Sequence, residues 1–155
     1  AGHAPEWRGG PVSRVVVGVD GSEHSLRALR LGLEQARLRR VDVVAVTAWQ
    51  VPMMPTPHPT YIDPEEFQRA AEAILDEALA AVASGATSVA IERRIVRGDA
   101  REVLLADLAE GDQLVIGTRG LGGVSRLLLG SVASHCISHA PCPVLVVPAG
   151  AGPTP

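Results

Sequence analysis

Residues 114–132 read LVIGTRGLGGVSRLLLGSV. An apolar run stops at Gly117, four glycines follow within seven residues (Gly117, Gly120, Gly122 and Gly123), and Gly130–Ser131 opens a helical pattern reaching His139. Glycines let main-chain amides come close to an anion. A helix start adds free N–H groups and a favourable dipole. Strand, glycine loop and helix start together read as a phosphate-binding turn of an α/β protein. Two familiar versions are excluded. A Walker loop needs lysine, and all 14 basic residues here are arginine. The dinucleotide fingerprint should follow the first strand, where the sequence is GVDGS. The spacing present is Gly-x2-Gly-x9-Gly-Ser, from Gly117, Gly120, Gly130 and Ser131.

Outward from this turn the chain alternates. Arg14–Asp20 (RVVVGVD) is a β-branched run and predicts a buried strand. Ser22 suits the cap of a helix running to Arg39. Val41–Trp49 predicts a second strand, and the proline-rich stretch after it can be neither helix nor central strand. Asp63 and Pro64 open a helix to Ser84 as cap and first helical residue. Ser88–Val96 predicts a third strand, whose paired arginines suit a sheet edge. Asp99 caps a helix to Ala109, Asp112–Gly117 is the fourth strand and Pro143–Pro148 the last. Strict alternation predicts one doubly wound α/β domain, a parallel sheet with helices on both faces. The expected organisation is a flexible arm at 1–13, the domain at 14–148 and a flexible tail at 149–155.

Composition narrows the function. At 155 residues with 46% hydrophobic side chains the chain can bury a core. With 3% aromatics, Val, Leu, Ile and Ala must build it. A net charge of −3 argues against a nucleic-acid partner. No apolar run approaches the roughly 20 residues that span a bilayer. The two cysteines form no CxxC, which suits a cytoplasmic setting.

The glycine–serine spacing, the acid ending VVVGVD and the closing HAPCPVLVVP (His139–Pro148) resemble the ATP-binding branch of the universal stress protein family over residues 14–148. The resemblance implies a five-stranded sheet of order 3-2-1-4-5, with ligand at the reversal point between strands one and four. It implies ATP, or AMP or ADP, with Mg²⁺. Gly18, Val19 and Asp20 would line the nucleoside side, Asp20 near the ribose or a phosphate-bound Mg²⁺. Ala48 would offer backbone hydrogen bonds to adenine. Ile116 and Gly117 would border the ribose. Gly120, Gly130, Ser131 and Val132 would hold phosphates through amides and the Ser131 hydroxyl, with Arg119 a cationic partner and Arg126 a weaker one. Gly18 stands where some ATP-binding relatives have proline. The family resemblance also implies a homodimer, and the apolar strand Pro143–Val147 is the edge that would pair.

Alternatives stand beside these readings. Asp20 either caps the first helix or meets ligand, or does both. Arg119 is either solvated or bound to phosphate. The Pro52–Pro59 stretch is either a lid over adenine or a plain crossover. His135 and His139, four apart, have metal-ligand spacing, but Cys136 lies off their face. Ser131, His135 and Asp20 make a poor catalytic triad. The expected role is regulatory nucleotide binding with at most weak ATPase activity. The alternatives are a slow nucleotide-hydrolysing or adenylyl-transferring enzyme, and a nucleotide-free interaction module. Gly117 and Gly130 are expected to matter because a side chain there would block the approach of phosphate to the backbone while leaving the sheet folded.

Overall fold

A computed structural model describes residues 10–53, 55, 57–58, 61–83, 88–118, 129–148 and 150. Most of the expected arm and tail lie outside them, as do Arg119, Gly120 and Arg126. The elements run β1 (Arg14–Gly18), α1 (Glu23–Arg39), β2 (Asp42–Trp49), α2 (Pro64–Val82), β3 (Ile91–Arg97), α3 (Ala100–Ala106), β4 (Asp112–Gly117), α4 (Ser131–His139) and β5 (Val144–Val147). All pairings are parallel and the order is β3-β2-β1-β4-β5, as expected. β3, with its adjacent Arg93 and Arg94, is indeed an edge.

Side chains alternate across the sheet and feed two cores. Val15, Val17 and Val19 of the first strand and its continuation pack with Leu29, Leu33 and Leu75 beneath α1 and α2. Val16, Val44, Leu114 and Ile116 pack with Leu104, Ala133 and Cys136 beneath α3 and α4. The capping residues act as expected. The Ser22 hydroxyl accepts from Ser25 N–H at 3.1 Å, Asp63 from Glu65 N–H at 3.0 Å and Asp99 from Arg101 N–H at 2.9 Å.

Two boundaries move for identifiable reasons. β3 starts at Ile91 rather than Ser88 because its partner β2 begins at Asp42, and the Val43↔Ile91 pair opens the ladder. α3 stops at Ala106 rather than Ala109 because the Asp112 carboxylate takes the Ala109 N–H at 2.8 Å and turns the chain toward β4.

That carboxylate anchors the end of the sheet where the strands begin. Asp112 is 3% exposed and receives both Nε (2.9 Å) and an Nη (3.0 Å) of Arg14. Its hydrogen bonds raise the Arg14 pKa above the ordinary guanidinium value. Arg14 also donates to the Asp107 carbonyl at 2.5 Å, and Asp107 pairs with Arg94. β1, β3, β4 and the end of α3 are therefore tied at one point.

Two outcomes are expected. Asp112→Asn takes the buried carboxylate from Arg14 and leaves it only the exposed Asp107, at 3.4 Å, at a cost of about 2 kcal/mol; a denaturant titration should show a lower midpoint with an unchanged slope. Gly32→Ala would place a methyl 2.5 Å from Cγ2 of buried Val17. Ala favours helix over Gly by about 1 kcal/mol, but overpacking a stiff β-branched neighbour costs about 1–3 kcal/mol. The net effect should be destabilising, which thermal melts would show as a lower Tm.

Candidate functional site

The strand register brings the separated sequence signals together. Gly18 faces Val46 across β1–β2, and Val17 faces Val115 across β1–β4. Asp20 and Ala48, two residues beyond the first pair, and Thr118, three beyond Val115, lie in neighbouring positions at the carboxyl ends of three strands. β1 lies between β2 and β4, where the strand order reverses. Crevices outside such reversals receive ligands in open α/β sheets.

Asp20 is exposed and held in a tight turn. Its Oδ1 accepts from Ser22 N–H at 2.9 Å and from the Ser22 hydroxyl at 2.5 Å. Its other oxygen accepts nothing among the described residues, so the turn aims one carboxylate oxygen outward. Ser22 is the cap of α1, and Asp20 supports the cap.

α4 supplies the second component. Its cap is Gly130, with no side-chain hydrogen bond to the first turn. The helix's own bonds begin with Ser134 N–H to Gly130 C=O at 3.0 Å. The amides of Ser131, Val132 and Ala133 thus have no partner within the helix. Ser131 is exposed, Val132 half-buried.

Several expected roles need correction. The Gly130 amide is not open to phosphate: it donates to the Thr118 carbonyl at 2.7 Å. Val19, expected to line the nucleoside side, is engaged within the fold. Its side chain is buried at 3% in the α1/α2 core, its N–H donates to Val46 C=O at 2.8 Å, and its carbonyl receives the Thr47 hydroxyl at 2.9 Å. Alternation along the strand turns it to the opposite face from α4. Gly117 is glycine for packing. A Cβ there would lie 2.5 Å from His24 Cβ and 2.9 Å from the His24 carbonyl carbon. A side chain at 117 therefore displaces the first turn of α1. Ile116, 4% exposed, is floor beneath the crevice, and a Cβ on Gly18 would meet Leu104 and Ile116 at 3.2–3.3 Å. Arg119 and Gly120 lie outside the described residues.

Nothing among the described residues adds to the metal spacing of His135 and His139. Cys136 is fully buried and burial pushes its thiol up to about 11, whereas a thiolate is what binds metal. The His135 and His139 rings stack 4.2 Å apart, and His139 Nδ1–H donates to the His135 carbonyl at 2.9 Å. Among the described residues no three of His, Cys, Asp or Glu gather. Met53, in the proposed lid, is 98% exposed, so it covers nothing here; Met54, Thr56, Pro59 and Thr60 lie outside the described residues.

Sequence reasoning missed two features. One is a groove of about 320 Å³ between α3 and the outer strands, lined by Val46, Val96, Gly98, Val103, Leu104 and Leu108. Val96 is the register partner of Ala48, so the groove lies beside that strand end. The other is His24, whose Nδ1 lies 2.8 Å from the Thr118 hydroxyl. Neither has a spacing signature, because both arise from contacts between elements far apart in sequence. Among the described residues no helix is long and apolar enough to cross a membrane.

Residues 11–148 match the universal stress protein family. A universal stress protein of Mycolicibacterium smegmatis is 36% identical over 134 residues, covering 86% of this chain and 45% of that protein. The chain thus spans about half the length of the first curated relatives it matches. Among solved structures, a universal stress protein in complex with cAMP is 31% identical with a TM-score of 0.66, covering 91% of this chain and 100% of that one. The universal stress protein of Archaeoglobus fulgidus in complex with dAMP is 25% identical with a TM-score of 0.62, covering 89% and 99%. With the sheet order, the strand-end crevice and the sequence match in agreement, the chain belongs to the universal stress protein family.

Proposed function

We propose that this chain is a cytoplasmic regulatory protein that binds an adenine nucleotide, ATP with Mg²⁺ foremost, in the crevice between the strand ends and the start of α4. The observation that carries this reading is the helix start without a side-chain cap beside the acidic end of β1. Free amides and a helix dipole suit phosphate, and the outward oxygen of Asp20 suits a ribose hydroxyl or a phosphate-bound cation. The cAMP and dAMP complexes of similar proteins support the same ligand class.

In this reading the amides of Ser131 and Val132, with the Ser131 hydroxyl, hold phosphate oxygens. Gly120 and Arg119 belong to the same proposal from the sequence spacing. The base enters the mouth of the apolar groove beside Ala48, between Val46, Val96 and Val103. The volume is within the ordinary range for small-molecule sites. Asp20 is a carboxylate at the strand ends with one oxygen that accepts nothing among the described residues, and no three possible metal ligands gather among them. Mg²⁺ would therefore arrive on the nucleotide rather than on a cation site built by the protein. It would neutralise phosphate charge, with Asp20 as its nearest protein anion.

At most weak ATPase activity is proposed. Hydrolysis needs a group that orients water. In this reading the outward oxygen of Asp20 is taken up by the ribose or the nucleotide-bound cation, and His24 Nδ1 by Thr118. We also propose a homodimer through β5, whose outer edge is open in the single chain.

Calorimetric titration with ATP and Mg²⁺ should give saturable one-site binding. Absence of heat and of any thermal shift at millimolar ATP would instead favour a nucleotide-free interaction module. A sharper test is Ser131→Glu. A carboxylate in the first turn of α4 favours the helix by about 0.5 kcal/mol but repels phosphate. ATP affinity should fall about tenfold or more while Tm holds or rises. Unchanged affinity would remove α4 from the site.

A further inference from the structure

Thr118 is bound through each of its polar groups to a different element. Its N–H donates to Val147 C=O of β5 at 3.0 Å. Its carbonyl receives the N–H of Gly130, the cap of α4, at 2.7 Å. Its hydroxyl lies 2.8 Å from Nδ1 of His24 in the first turn of α1. Thr118 and Gly130 stand on either side of residues 119–129 in sequence, and their bond ties the end of β4 to the start of α4.

We propose that His24 is a positioning residue for the ligand site. Its bond to the Thr118 hydroxyl fixes the Thr118 carbonyl, which in turn fixes the amide that starts α4 and thereby the aim of the anion-binding turn. This rests on the nucleotide-binding reading above for its ligand, though not for its geometry.

A half-buried histidine meeting a threonine could be no more than a satisfied polar pair, and the surroundings distinguish the two cases. The β4–β5 ladder is complete at Gly117↔Val147, one residue before Thr118, so the sheet does not need the hydroxyl bond. His24 is itself placed rigidly. Its Cβ and carbonyl carbon sit where a Cβ of Gly117 would be, at 2.5 and 2.9 Å, so the imidazole starts from a fixed root. The same turn of α1 begins with Ser22, which orients Asp20. One helical turn therefore sets the acid on one side of the crevice and the amides on the other. Rigid support of this kind is what holds a binding group in productive geometry. In the neutral ring with the proton on Nε2, Nδ1 accepts from the Thr118 hydroxyl; in the other tautomer it donates. Either form keeps the link.

The test uses His24→Ala, His24→Asn, Thr118→Val and the double variant His24→Ala/Thr118→Val in the full chain. His24→Ala and Thr118→Val should each weaken ATP–Mg²⁺ binding by roughly fivefold to tenfold, the scale of one lost hydrogen bond. The double variant should be no weaker than either single one, because both break the same link. His24→Asn, which keeps a polar atom near the Nδ1 position, should retain most of the affinity. Independently of any ligand, hydrogen exchange at the Gly130 amide should quicken in His24→Ala and Thr118→Val and stay slow in His24→Asn. Additive losses, equal losses in His24→Asn and His24→Ala, or Gly130 exchange unchanged in all variants would overturn the proposal. Should the unaltered protein bind no ATP, the nucleotide reading falls, and Gly130 exchange alone decides whether His24 positions the start of α4.

Discussion

The close approach of the first turn of α1 to the backbone of Gly117 is the constraint on which the crevice depends. No side chain separates the two, so β4 ends directly against the helix that follows β1. This contact brings Asp20, near the start of the chain, beside Thr118, almost a hundred residues later. The parallel register of β1 with β4 permits the meeting, and the missing Cβ lets it close. A glycine that looked like part of a phosphate cradle is thus also a packing glycine.

Much of the fold could be read from the chain because the informative residues act locally. Ser22, Asp63 and Asp99 each accept an amide within three residues, so spacing alone identifies them. The β-branched runs of β1 and β4 are buried on both faces, as central parallel strands must be. The sheet order itself came from family resemblance rather than from any residue pattern. The candidate site was legible only in outline. The glycine–serine spacing marks the helix start, and Asp20 marks the acidic strand end. The direction each group faces was not legible. Val19 looked like a neighbour of Asp20 in sequence, yet alternation turns it into the opposite core. The Gly130 amide looked free until Thr118 was placed beside it. The groove beside Val96 and the His24–Thr118 pair involve contacts that no local spacing encodes.

The two ends of the sheet differ in kind. Where the strands begin, charges neutralise one another: Arg14, Asp112, Asp107 and Arg94 form a connected set at the foot of α3. Where the strands end, one carboxylate oxygen of Asp20 and the first-turn amides of α4 have no partner among the described residues. Stability is concentrated at one end and the proposed ligand site lies at the other. Changes at Asp112 act on folding, whereas changes at Ser131 act on the crevice.

The sheet edges are unequal as well. β3 carries Arg93, Arg94 and Arg97, paired with Asp76, Glu92 and Asp107 or set over Trp49 at 5.4 Å. β5 is Val-Leu-Val-Val, short and uncharged. If two copies join through β5, each consumes its one permissive edge, and the surfaces left outward are the arginine-bearing ones. Growth then stops at a pair, because head-to-tail addition would have to dock an apolar strand against a guarded one. In that proposed pair the uneven distribution of arginine would set an upper limit on stoichiometry and keep the assembly from extending into a filament.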